Sequence, residues 1–356
     1  MKVLITGICG FVGSAIAAEL KRQLSDVEII GVDNLSRPGS EVNRAALKKQ
    51  GIRHFHGDMR NASDLENLPK AEWVIEAAAN PSVLAGVSGL ASSRQLMEHN
   101  LISTLNALEY CKRHRAGMIL LSTSRVYSLA ALSKLPMVID EGRAFTPHIR
   151  EIREPGISSA GVAEHFSTEP PLSLYGSAKL ASEVMALDYG HAFQFPVFIN
   201  RCGVLAGAGQ FGKPDQGIFS FWIHSWKWKR PLKYIGFGGN GCQVRDCLHP
   251  RDLTTVLPAQ MRAPERAGRV WNISGGIASS ISLANLSRWC ERRFGPHQVA
   301  ADPAVRQYDV AWLVLNSARA ATDWNWHPDT KLESVLEEIA EHAEKNPHWL
   351  DLSNDT

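Results

Sequence analysis

Short, β-rich and mostly apolar runs open the chain, separated by stretches in which apolar residues recur every three or four positions. The runs are Lys2 to Thr6, Glu28 to Asp33, Ile52 to Asp58, Trp73 to Ala79 and Met118 to Ser124. Near-continuous apolarity suits strands covered on both faces, and alternation with helical periods predicts βαβ units in a parallel sheet. Two longer helical patterns run from Ser92 to His114 and from about Leu174 to Phe193. Between Ser128 and Leu174, Pro136, Pro147, Pro155, Pro170 and Pro171 stand among glycine, serine and scattered charge, which predicts a long loop with little regular structure. Beyond Phe195 the alternation becomes irregular, although strands near Pro196 to Arg201 and Arg269 to Ser274 are expected to return to the main sheet. The expected fold class is α/β, a doubly wound parallel sheet over residues 1–200 with strands returning from about 235–275. A smaller C-terminal, substrate-binding lobe is expected from 201–234 and 276–356.

Composition narrows the function classes. The 38 Lys+Arg and 36 Asp+Glu leave a formal charge of +2, which gives no reason to expect a nucleic-acid partner. The six cysteines are scattered without zinc-like spacing, as expected of reduced thiols in a cytoplasmic protein. Glycines and then Glu19 and Lys21 interrupt the first apolar run, so it reads as a buried strand rather than a signal peptide. No stretch is apolar for the roughly 18 residues that a membrane span needs. His54 and His56 would share a strand face, but without a third ligand they predict no metal site. Trp222, Trp226 and Trp228, interleaved with Lys227, Lys229 and Arg230, predict a packed helix of the smaller lobe or a subunit contact, and Glu333 to Glu344 a solvated amphipathic helix.

The segment Thr6-Gly7-Ile8-Cys9-Gly10-Phe11-Val12-Gly13 follows the first strand and opens a helix whose face continues through Ile16, Leu20 and Leu24. Gly7 would permit the tight turn, Gly10 the approach of a pyrophosphate, and Gly13 close packing of helix on strand. The free N–H groups and dipole of the helix N-terminus favour the anion. Asp33 ends the second strand, where a carboxylate would accept hydrogen bonds from the adenosine ribose. It would also repel a 2′-phosphate, so NAD is preferred, while Arg37 leaves NADP open. Asp58, in Gly57-Asp58-Met59, is either an adenine contact or a turn aspartate. The pattern is that of a Rossmann dinucleotide fold.

Tyr175 and Lys179 stand four apart at the start of a long helix and therefore share a face. Taking hydride from a carbinol requires its hydroxyl proton to leave as well, and a phenol of pKa about 10 is a poor base at neutral pH. A nearby ammonium and a positive nicotinamide ring would favour the phenolate, making Tyr175 a general base and later a general acid. Lys179 could also hold the nicotinamide ribose. Ser122 and Thr123 end the fifth strand, at the sheet edge where doubly wound folds bind ligands. Thr123 would position the reacting sugar oxygen.

Together these residues resemble the extended short-chain dehydrogenase/reductases that act on nucleotide sugars, within the NAD-dependent epimerase/dehydratase family. The resemblance is strongest to the CDP-paratose (CDP-tyvelose) 2-epimerase branch. The matching segments are Asp33-Asn34-Leu35-Ser36-Arg37, Gly57 to Asn61, Ser122 to Tyr127, Tyr175 to Lys179, Gln210-Phe211, Asp215-Gln216-Gly217 and Gly239 to Asp246. The resemblance implies a tightly held NAD⁺ that oxidises a ring carbon of a CDP-sugar and returns hydride to the other face. It implies cofactor contacts from Gly7, Gly10, Phe11, Val12, Gly13, Asp33, Asn34, Ser36, Arg37, Asp58, Met59, Ala77, Ala78, Ala79, Asn100, Ser122, Tyr175 and Lys179. It further implies substrate contacts from Asn80, Thr123, Ser124, Arg125, Arg201, Gln216, Gln243, Arg245 and Arg306. Arg245 and Arg306 would take the diphosphate, for which a guanidinium fork is suited. A homodimer pairing the two long helices in a four-helix bundle is implied as well.

The chain departs from the pattern at four places. Glu76 stands where a histidine is usual after the fourth strand, and Val204 where asparagine is common. Val310 and Ala311 occupy the region of an expected second arginine, and the 128–174 insertion is long. These leave the sugar, the nucleotide and the choice of C2 or C4 open. A 4,6-dehydratase or net reductase stays an alternative, although Ser124-Arg125 replace the Asp-Glu pair that dehydratases of this type carry after the threonine. A non-catalytic NAD-sensing protein is a third reading, opposed by the presence of both Tyr175 and Lys179.

Overall fold

In the computed structural model, which describes residues 1–87 and 92–353, seven parallel strands form the central sheet. The first five are β1 (Lys2–Thr6), β2 (Glu28–Asp33), β3 (Arg53–His56), β4 (Trp73–Glu76) and β5 (Gly117–Thr123). The insertion contributes hairpins β6 (Met137–Asp140) with β7 (Ala144–Pro147) and β8 (Ile157–Ser158) with β9 (Gly161–Val162). There follow β10 (Val197–Cys202), β11 (Val204–Leu205), β12 (Leu232–Ile235), β13 (Val244–Leu248) and β14 (Arg269–Ile273). The last three are β15 (Ser280–Ser282), β16 (Val299–Asp302) and β17 (Trp312–Leu313).

Strand order β14-β10-β5-β4-β1-β2-β3 makes the chain wind outward in both directions from β1 and β4, so a crevice opens above their carboxyl ends. The apolar runs are explained by cover on both faces. Val3, Ile5, Ile75, Ile119 and Phe198 pack toward the helices Phe11–Gln23 and Pro250–Arg262. Leu4, Val74, Met118, Leu120 and Ile199 pack toward Ser103–His114 and Leu174–Phe193.

Where local geometry differs from the expectation, tertiary hydrogen bonds are the reason. β4 stops at Glu76 because the Ala77 and Ala78 N–H groups turn to donate to the Thr6 hydroxyl, at 3.2 and 3.1 Å. β3 stops at His56, and the Asp58 N–H donates to the Asp64 carboxylate at 2.8 Å. The helix expected from Ser92 runs as Ser93–Met97, a π-helical turn Glu98–Ile102, and Ser103–His114, with the Ser92 hydroxyl capping its start. The 128–174 stretch is not the structureless loop expected. Besides its two hairpins it holds a short helix, Leu129–Ser133, and it packs through Leu132, Val162 and Phe166 into one cluster with Trp312 and Val314.

Of the 235–275 stretch, β14 alone joins the main sheet. β12 pairs with β16, and β13 pairs with β11, β15 and β17 in a second small sheet. The smaller lobe is completed by helices Ile218–Lys227, Leu283–Phe294 and Leu332–Lys345 around Trp222, Trp226, Trp289 and Ile339. The tryptophan segment is therefore a packed helix, and Glu333 to Glu344 lies on a helix whose other face is buried. No helix among the described residues is long and apolar enough to cross a membrane.

Beneath the crevice, Arg201 of β10 donates bidentately to Glu183 on the Leu174–Phe193 helix, with a closest approach of 2.6 Å, and stacks 5.0 Å from the Tyr127 ring. Glu183 also accepts from the Ser122 hydroxyl of β5. Removing one partner of a buried pair strands the other charge, so Arg201→Met is expected to lower unfolding free energy by about 3–5 kcal/mol in urea titrations.

In the smaller lobe His224 is 1 % exposed and lies 3.3 Å from His342. Burial, then His342 and Arg230, hold its pKa down to about 3. A base depressed in the folded state is protonated first in the unfolded chain, near pH 6.5, so its contribution is intact above that value and lost as pH falls toward 3. The urea midpoint should fall between pH 7 and pH 5, and His224→Gln should flatten that slope.

Candidate active site

The crevice holds a cleft of about 370 Å³ whose walls come from the glycine turn, the ends of β4 and β5, the Tyr175 helix and the smaller lobe. Gly7 adopts φ +63°, and a Cβ there would lie 2.8 Å from the Ala78 backbone. At Gly13 a Cβ would lie 2.2 Å from the Gly7 carbonyl oxygen. No side chain caps the Phe11–Gln23 helix, so its first N–H groups face the cleft beside Gly10, Phe11 and Val12. This cradle fits a dinucleotide pyrophosphate.

The adenosine-side candidates gather at the ends of β2 and β3, beyond the cleft walls. Asp33 accepts from the Cys9 and Leu35 N–H groups at 2.9 and 2.8 Å. Asn34 donates to Asp58 at 3.0 Å and accepts from the Ser36 N–H at 2.9 Å. Hydrogen bonds from Arg60 hold the Asp58 carboxyl well below the usual range, so it is an anion already engaged by the protein. Met59 is buried in the core beneath.

Ala77 and Ala79 line the cleft, while Ala78 packs under Gly7. Asn80 and Asn100 bond each other at 2.8 and 3.0 Å, so Asn100 acts here by fixing the loop after β4. Tyr175, at the start of a helix capped by Ser173, faces Thr123, Ser124 and Arg125 across the cleft. Burial pushes the phenol up to about 12, against downward pulls from the Thr123 hydroxyl and from Arg125. Lys179 is 1 % exposed and acts on Glu76 and Cys202. The sequence pattern pointed to Lys179 as the cation that tunes Tyr175; the cation that acts on the phenol in the structure is Arg125, whose own pKa is pushed down to about 10 by burial and then by Arg245.

On the opposite wall Arg245 is ion-paired with Asp309 and donates to the Val310 carbonyl at 2.8 Å. Gln243 donates to the Ile235 carbonyl at 3.3 Å, leaving its buried amide oxygen without a partner among the described residues. Arg201, expected to touch substrate, does not line the cleft: it is committed to Glu183 below the floor. The Ser122 hydroxyl is likewise directed to Glu183.

Segment 211–217 crosses the cleft and is held from three sides. Arg37 donates to Gln216 at 2.5 Å and to the Phe211 carbonyl at 3.1 Å. Ser82 donates to Asp215 at 2.5 Å, and Arg306 to the Pro214 carbonyl at 3.1 Å. Sequence reasoning missed Ser82, Cys202, Phe211, Asp215 and Asp309 as wall or latch residues. The matching segments Gln210-Phe211 and Asp215-Gln216-Gly217, and the neighbourhood of Arg306, were the available signals.

Residues 3–274 match the model of the NAD dependent epimerase/dehydratase family. The chain is 26% identical to CDP-paratose 2-epimerase of Salmonella typhi, over 95% of this chain and 98% of that one. It is equally 26% identical to UDP-glucuronate 4-epimerase 4 of Arabidopsis thaliana, over 95% of this chain and 74% of that one. The fold superposes on UDP-glucuronic acid 4-epimerase from Bacillus cereus, solved with UDP-glucuronic acid and NAD, with a TM-score of 0.77 at 22% identity, covering 97% and 99% of the two chains.

Gly13→Ala should abolish the thermal shift produced by NAD, since its Cβ cannot coexist with the Gly7 carbonyl. Arg37→Ala, which frees segment 211–217, should release bound NAD faster in a dilution assay monitored by NADH fluorescence after reduction.

Proposed function

This chain belongs to the NAD dependent epimerase/dehydratase family, and we propose that it is an epimerase acting on a nucleotide-diphosphate sugar, with a CDP-sugar favoured. One observation carries the choice of epimerisation over elimination: Ser124 and Arg125 follow Thr123 in the wall that faces Tyr175. Elimination of water needs an acid at that wall to protonate the departing hydroxyl. The aspartates lining the cleft are Asp215 and Asp309, bonded to Ser82 and Arg245. The CDP preference rests on the full-length likeness to the Salmonella typhi relative.

Bound NAD would supply a hydride acceptor that gives the hydride back within one cycle. Thr123 would hydrogen-bond the reacting hydroxyl, and Tyr175 would take its proton and later return it. Arg125 favours the phenolate that this requires. Lys179 would hold the nicotinamide ribose, and Arg245 and Arg306 the diphosphate, leaving the sugar free to turn over in the cleft. Arg125 also favours a second reading, a 4-epimerase of a hexuronate, because a guanidinium beside the reacting carbon could pair a sugar carboxylate.

Ile102, Val184 and Phe193 are exposed on the two long helices, which supports a homodimer through that face. The six free thiols support a reducing, cytoplasmic compartment.

The test is Tyr175→Phe against a panel of CDP-, UDP-, GDP- and dTDP-sugars. Turnover should fall by about 10²–10⁴ with NAD still bound. Unchanged turnover of every sugar that the native enzyme converts would overturn the assignment.

A further inference from the structure

Glu76 closes β4 at the centre of the sheet and is 1 % exposed. One carboxyl oxygen lies 2.6 Å from the Thr104 hydroxyl; the other is buried without a hydrogen-bond partner among the described residues. Thr104 has a single proton to give, and its oxygen is also 2.9 Å from the Asn100 carbonyl, which can only accept. If Glu76 were ionised, it and Asn100 would compete for that proton, and a bare anionic oxygen would remain in the core. If Glu76 is a carboxylic acid, it donates to Thr104, Thr104 donates to Asn100, and the remaining oxygen is a neutral carbonyl, far cheaper to bury.

Two titratable groups bear on Glu76. Lys179 acts on it from the Tyr175 helix, and the Cys111 thiol, raised by its own burial and then by Glu76, faces it from Ser103–His114. Thr6 of β1, its partner in the sheet register, is uncharged.

We propose that Glu76 is a positioning residue held as a neutral carboxylic acid, which leaves the positive charge of Lys179 uncancelled for the Tyr175 phenolate and the cofactor ribose. This rests on the catalytic reading of Tyr175 and Lys179. Ionised, Glu76 would offset the charge of Lys179 in the floor of the site and weaken its pull on the phenol. Burial raises the titration of Glu76 and outweighs the opposite pulls of Lys179 and of the Thr104 hydroxyl.

Infrared difference spectroscopy tests this on the purified protein without any substrate. At neutral pH the wild type minus Glu76→Gln spectrum should contain the carbonyl stretch of a protonated carboxyl. Asp246, another buried acid with raised titration, is common to both proteins and cancels. Glu76→His gives the same subtraction should the glutamine variant fail to fold. In Lys179→Met, loss of the opposing cation should move the disappearance of that band upward by about one pH unit or more. Absence of the band, or an unmoved midpoint in Lys179→Met, would overturn the proposal. An active Tyr175→Phe enzyme would instead sink the catalytic reading and leave these spectra as they are.

Discussion

The buried ion pair between Arg201 and Glu183 is the constraint from which the geometry of the site follows. It joins β10 to the Leu174–Phe193 helix two turns beyond Tyr175, and through the Ser122 hydroxyl it reaches β5 one residue before Thr123. The helix can therefore neither slide nor roll against the strand ends, and Tyr175 is fixed opposite Thr123. Arg201 also donates to the Glu164 carbonyl at 3.2 Å, while the Glu164 side chain accepts from the Asn272 N–H at 2.9 Å, so the insertion is tied to the same point. Two charges inside a protein are stable only when both are fully satisfied, and here the bidentate fork and the ring of Tyr127 satisfy them.

Above that floor the charges are arranged for function. Arg125, Arg245 and Arg306 act on one another across the cleft, and Asp309 compensates for part of their repulsion. Such a set repels itself, and a diphosphate, as the proposed function requires, would offset that repulsion. Segment 211–217 is held over the cleft through Arg37 and Ser82, as the proposed epimerase, whose cofactor would be restored in every cycle, would require.

Much of this was legible in the sequence because it rests on local periodicity and spacing. The parallel strands β1, β2, β4 and β5 show as apolar runs, the glycine turn as a motif between strand and helix, and Tyr175 with Lys179 as one helical face. What was illegible depends on distant partners. The hairpins of the insertion are anchored far along the chain: Val162 of the second exchanges hydrogen bonds with Val314 and Asn316, at 2.8 Å each, and the Phe145 N–H of the first donates to the Cys242 carbonyl at 2.9 Å. Arg201 looked like a substrate ligand at a strand end until Glu183 was seen beneath it. Arg37 looked like a cofactor contact near the ribose, whereas it donates to Gln216, 179 residues away. Glu76 was visible as a departure, and its setting, with Thr104 and Lys179 on two different helices, needed the fold.

The central claim is that hydride leaves one ring carbon and returns to that same carbon within a closed site at Tyr175. The most direct measurement uses the nucleotide sugar that the enzyme converts, labelled with deuterium at the inverting carbon and turned over in ordinary water. Complete retention of deuterium in the epimerised product is predicted. Its replacement by solvent hydrogen would mean that the carbon inverts by losing a proton, and would contradict the account.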